Sequence, residues 1–117
     1  MPLGLKGNEL RVEQYDAEWS LRFEKEKTEL IKLLVPLKNP ARIEHVGSTS
    51  VAGLAAKPIV DIAIGLSTRE QVAHARALLL KAGRHYIKWG NQPGMLLMAN
   101  GNPREVFYHL VAINSPA

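Results

Sequence analysis

The sequence predicts an α/β (α+β) layered fold, with helices packed on a mixed sheet of about five strands. Three observations carry that expectation. Residues 17–35 repeat apolar side chains at helical spacing. Residues 58–66, PIVDIAIGL, form an apolar run rich in β-branched residues. After Gly83, three short strand-like runs alternate with turns of Gly, Asn and Pro.

The 117 residues suit one small domain, 1–117, with a modest core. Hydrophobic content of 46% and charged content of 22% are ordinary for a soluble globular chain. No apolar run reaches the roughly 18 residues that a membrane span needs. The N-terminus lacks the apolar core of a secretory leader. A cytoplasmic protein with no membrane partner is therefore expected. With no cysteine, disulfides and thiolate metal sites are excluded. The net charge of +4 is spread along the chain without a long basic run. That balance admits an anionic small ligand. No basic and aromatic patch is evident, so nucleic acid is not the expected partner.

Residues 1–10 read as an irregular lead-in. Asp16 is placed to cap a helix over 17–35 by accepting a free backbone N–H. Trp19, Phe23, Leu30 and Leu34 share one face of it, and Pro36 ends it. Residues 42–46 form a short strand that stops at Gly47-Ser48. Residues 49–56 are small and make a loop or one helical turn. The run from Pro58 to Leu66 is a central strand. Ser67 and Glu70 have capping-box spacing and open a second helix, with Val72, Ala75, Leu79 and Ala82 on one face. Gly83 stops it. An antiparallel meander follows: a strand over 85–89, a GNQPG turn, a strand over 95–99, an NGNP turn, and a strand over 106–113. Only Asn-Ser-Pro-Ala follows this last strand. A buried strand of this kind needs a cover, so the reading is a domain truncated at its C-terminus or one covered by a partner.

Two features invite a functional reading. Gly47-Ser48 lies where a strand meets a turn. Glycine lets the backbone approach a ligand closely, and the hydroxyls of Ser48, Thr49 and Ser50 with nearby N–H groups suit a phosphate. Such dipeptides also mark ordinary turns. Asp61 is the second feature. A carboxylate in a buried strand needs a partner, a metal or an opening. Strand alternation sends Val60 and Ile62 to one face and Asp61 and Ala63 to the other. Asp61 then meets a cation, a ligand, or a basic group such as Lys57 or His109. A structural hydrogen bond would account for it equally. Lys57 suits a phosphate as a point charge, or is simply a solvated lysine. His45 and His109 each sit in a strand, where a histidine commonly bonds its surroundings. No Cys/His metal pattern is present.

The stretch EHVGSTSVAGLAAKPIVDI resembles the hallmark of the GrpB family (the UPF0157 group), close to HVGSTSVPGLxAKPIIDI. Tyr15, Trp19 and Phe23 resemble that family's Y-x-x-x-W-x-x-x-F opening. FYHLVAINSP is similar to its His-Leu-His-Val-Val strand, with His109 at the second histidine and Phe107 in place of the first. Family members usually continue beyond this point. The family looks like a branch of the nucleotidyltransferase fold. The resemblance implies a Gly-Ser turn on nucleotide phosphates, followed by a strand whose paired acids bind Mg2+. Two metals held in this way clamp the oxygens of an in-line displacement. Gly47, Ser48 and Asp61 match the pattern. The second acid would fall at position 63, which is Ala63.

These observations give a first reading. A nucleotide or other phosphate-bearing molecule binds through His45, Gly47, Ser48, Thr49, Ser50 and Lys57, with Asp61 and His109 as catalytic candidates. Mg2+ sits on Asp61, and transferase activity is weak or absent. The alternative is a non-catalytic anion-binding or assembly domain, associating as a homo-oligomer through an uncovered sheet face.

Overall fold

A computed structural model describes residues 12–37, 41–90, 94–101 and 105–113. Its elements run α1 (Glu18–Leu33), β1 (Arg42–Val46), a 3-10 turn (Ser48–Ser50), β2 (Val60–Leu66), α2 (Arg69–Lys81), β3 (His85–Trp89), β4 (Met95–Asn100) and β5 (Val106–Ala112). This is the expected mixed α/β layering, with five strands and two helices. The lead-in at 1–10, the centres of both predicted meander turns and the residues after Ile113 lie outside the described residues.

The sheet order is β1-β2-β5-β4-β3. β3, β4 and β5 are antiparallel neighbours, as the meander requires. β5 also lies parallel to β2, with Ala63 beside His109. The last strand thus sits inside the sheet, joining the pair β1-β2 to the pair β4-β3.

Along β2, buried and half-buried residues alternate without a break. Val60, Ile62, Ile64 and Leu66 join Val106, Tyr108, Leu110, Leu96 and Met98 in one core. Trp19, Phe23 and Leu30 of α1, and Val72, Ala75 and Leu79 of α2, belong to the same cluster. Both helices therefore cover one sheet face. The alternate residues of each strand, Asp61 and His109 among them, lie on the other, open face.

Two helix ends differ in detail from the sequence reading. Asp16 does accept the Glu18 N–H, at 2.9 Å, and the regular helix begins just after it. At α2 the capping residue is Thr68 rather than Ser67. Thr68 is extended (φ −138°), and its hydroxyl accepts the Gln71 N–H at 3.2 Å. Ser67 and Thr68 offer the same group one residue apart, so only the backbone turn decides between them. Gly83, at φ +88°, ends α2 as expected. Arg84 N–H bonds Leu79 C=O and Gly83 N–H bonds Leu80 C=O, the double bond of a Schellman end.

One polar cluster lies inside the helical face. Glu26 is 2% exposed. It accepts from Tyr108 Oη at 2.6 Å, Asn100 Nδ2 at 3.0 Å and Arg84 Nη2 at 3.2 Å. Arg84 also reaches Glu29 at 2.7 Å and Tyr108 at 3.3 Å. Burial on its own would raise the Glu26 pKa. The Tyr108 and Asn100 bonds and the charges of Arg84 and Arg22 outweigh it and hold the carboxyl below its usual range. Burial and the Glu26 carboxylate push the Tyr108 phenol up. Both Glu26 carboxylate oxygens have a donor, which is what makes such a burial tolerable.

Candidate functional site

Geometry converges on Asp61. β1 and β2 pair so that Val46 lies opposite Asp61. The chain then turns at Gly47, with φ +74° and ψ −171°. A Cβ at Gly47 would stand 2.7 Å from Asp61 Oδ2. Position 47 is thus confined twice, by its left-handed φ and by the carboxylate against it. The same close approach places the turn directly over the acid.

Ser48, Lys57 and Asp61 line one cavity of about 440 Å3, together with Ala56, Ile59 and Phe107. Ser48 and Lys57 are exposed side chains. Asp61 is half-buried, at 28% side-chain exposure, and His109 is at 44%. Asp61 Oδ1 and His109 Nε2 are 3.0 Å apart. An ionised carboxylate only accepts, so this bond places a proton on Nε2 of the imidazole. Of the two basic partners foreseen for Asp61, His109 is the one in hydrogen-bond contact.

The other expected ligand groups are engaged in holding the turn. Thr49 is 1% exposed; its Oγ1 donates to Ile59 C=O at 3.4 Å and meets His45 Nε2 at 3.0 Å. Ser50 Oγ donates to Gly47 C=O at 2.6 Å. The His45 ring stacks on Phe23, centroids 5.0 Å apart. Burial, only partly offset by the charges of Asp61 and Glu24, holds the His45 pKa below its usual value. His45 and Thr49 therefore brace the turn from the helical side, and Ser50 braces it from within. Ser48 carries the one hydroxyl of the three that lines the cavity.

Part of the cavity wall escaped the sequence reading. Glu13 and Ala56 exchange two backbone hydrogen bonds at 2.8 Å, which lays the segment at Val12 beside the loop that bears Lys57. A single bridge between residues so far apart leaves no periodic trace. Glu26 did leave one. It falls three residues after Phe23 and four before Leu30, on the apolar stripe of α1.

Among the described residues, no group of three or more His, Cys, Asp or Glu gathers to hold a metal. Ala63 lies on the open face two residues beyond Asp61, beside His109. It gives β2 one carboxylate there, where a two-metal clamp needs a pair. Asp61 and His109 do not fit that arrangement. No helix among the described residues is long and apolar enough to cross a membrane.

Comparison with known proteins bears on the family and the fold. The profile of a family described as GrpB protein matches residues 9–117. A UPF0157 protein of Streptomyces coelicolor is 34% identical over 107 residues, 92% of this chain and 54% of its own length. The Glutamate-rich protein GrpB of Alkalihalophilus pseudofirmus is 30% identical over 84 residues, 72% of this chain and 47% of its own. The crystal structure of conserved protein GrpB from Enterococcus faecalis superimposes with a TM-score of 0.76 at 30% identity, covering 89% of this chain and 63% of that one. The chain thus spans about half the length of these two curated relatives.

Proposed function

The chain belongs to the GrpB family, and we propose that it binds a phosphate-bearing ligand, a nucleotide in the first instance, between the Gly47-Ser48 turn and the Asp61–His109 pair. One observation carries the reading: Ser48, Lys57 and Asp61 line the same cavity. Lys57 supplies the charge for a phosphate and Ser48 a hydroxyl donor. The Asp61–His109 pair closes one side and offers an imidazole held in a fixed orientation.

Transfer chemistry is weak or absent in this reading, because Ala63 leaves Asp61 the one carboxylate on that face of β2. The test is thermal denaturation with ATP, GTP, CTP and UTP, each with and without Mg2+. A ligand at 100 times its dissociation constant adds about 2.7 kcal/mol of stability, a rise of several degrees in a domain of this size. No shift with any of the four, in this chain and in a longer relative, would sink the reading.

A second reading rests on the open face. Leu97, Phe107 and Val111 are half-exposed there: Leu97 of β4 lies opposite His109 of β5, and Phe107 and Val111 stand two residues to either side of His109. An apolar surface of that kind suits association of two copies. A monomer by light scattering at high concentration counts against it.

A further inference from the structure

The open face carries a second depression next to the first. Strand register sets out its side chains in rows. One row runs across all five strands as Glu44, Ala63, His109, Leu97 and Lys88. A cavity of about 290 Å3 lies over the latter part of that row, lined by His109, Leu97 and Lys88 with Met95 and Val111 of the next row. Its lining is mainly aliphatic, with a single lysine at the far end. His109 belongs to this cavity, and its Nε2 bonds Asp61 of the first. The two depressions therefore meet at the Asp61–His109 hydrogen bond.

We infer that this second cavity is the subsite for an apolar, planar portion of the same ligand, so that the ligand class is an aryl or nucleoside-type phosphate ester. The inference rests on the phosphate reading of the first cavity. Neighbouring strands stand about 4.8 Å apart. A ring joined to a phosphate beside Asp61 passes His109 and reaches Leu97 one strand further on. The Leu97 and Val111 side chains then cover the ring, and Lys88 meets any polar group at its outer edge. An inorganic phosphate would use the first cavity alone.

The test titrates the full chain with inorganic phosphate and with 2-naphthyl phosphate, following amide and methyl shifts by nuclear magnetic resonance. Burying about 55 Å2 of such a ring system is worth about tenfold in affinity. The naphthyl ester should bind at least tenfold more tightly than phosphate and move the Met95 and Val111 methyls. Leu97→Gln should erase that advantage and leave phosphate binding as it was. Leu97→Met, of similar volume, should keep it and serves as the control for folding. Equal affinities in the unaltered chain overturn the subsite while sparing the phosphate reading. So does an advantage that survives Leu97→Gln. Binding of neither compound overturns both. A dimer that Leu97→Gln dissociates assigns the face to self-association and likewise overturns the subsite.

Discussion

Tyr108 and His109 are consecutive residues of one strand, yet they serve opposite faces of the sheet. Tyr108 points into the helical layer, where Glu26, Arg84 and Asn100 satisfy one another and the phenol in a closed set. His109 points to the open face, where it bonds Asp61 and two cavities meet beside it. Both sites pair a carboxylate with a cationic or potentially cationic group. They differ in the number of donors per carboxylate and in access to water. The first is closed to water, and the second stands open to it.

The strongest way to break this contrast is to remove Glu26. Glu26→Leu leaves the Tyr108 hydroxyl and the Asn100 amide without their acceptor, while Arg84 keeps Glu29, a change worth about 2–4 kcal/mol for the two orphaned donors. Denaturant unfolding should show that loss, while nucleotide binding in the remaining folded protein keeps its affinity. Gly47→Ala comes next. It forces a side chain into a left-handed φ and against Asp61 Oδ2, at about 1–3 kcal/mol. Here stability and ligand affinity should fall together, because the turn itself moves.

Acid applies a milder form of the first change. The folded pKa of Glu26 lies below the ordinary value of 4.5. Its contribution is complete above that pH and is lost as pH falls through the lowered folded value. His45 is likewise lowered from 6.5. Its neutral, stacked form contributes fully above 6.5 and less as pH falls toward its folded pKa. Unfolding midpoints should therefore decline from pH 7 downward. His45→Phe should flatten the upper part of the decline and Glu26→Gln the lower part. An unchanged curve in both variants would show that other groups set it.

The smallest stability effect belongs to the open face. Asp61→Asn or His109→Gln disturbs one half-exposed pair, worth about 0–1 kcal/mol. The nucleotide-induced thermal shift should nonetheless disappear. Ala63→Asp sharpens the contrast in the opposite sense. It sets a second carboxylate on the same face of β2 at a β-propensity cost of about 1 kcal/mol. Mn2+ affinity, read by calorimetry, should rise above that of the unaltered chain.

Much of this was legible in the residues. Alternation along PIVDIAIGL gave Asp61 its face, and the meander after Gly83 followed from its turns. The roles of His45 and Thr49 were not legible. A histidine and a threonine four residues apart, on either side of Gly47-Ser48, read equally well as ligand groups or as braces. Phe23, from another element, decides the matter by stacking on the ring. The Glu26 cluster was hidden for a similar reason. Its donors lie between 58 and 82 residues further along the chain. Only the misplaced acid on an apolar stripe announced it. The parallel contact of β5 with β2 has no local signature at all, since it is made by strands far apart in sequence.

That parallel contact also ties the candidate site to the whole sheet. The strands β1-β2 and β3-β4 pair antiparallel within each half of the chain, through connections short enough to close early. β5 pairs with β4 across a similarly short connection, and its parallel pairing with β2 joins the two halves. Asp61 and His109, 48 residues apart, meet only through that pairing. Contacts of such long range close slowly, because the chain must first give up the entropy of the loop between them. The candidate site therefore depends on the long-range pairing of the sheet. Without the β2–β5 contact Asp61 and His109 do not meet, so a ligand held by both residues recognises the finished sheet alone.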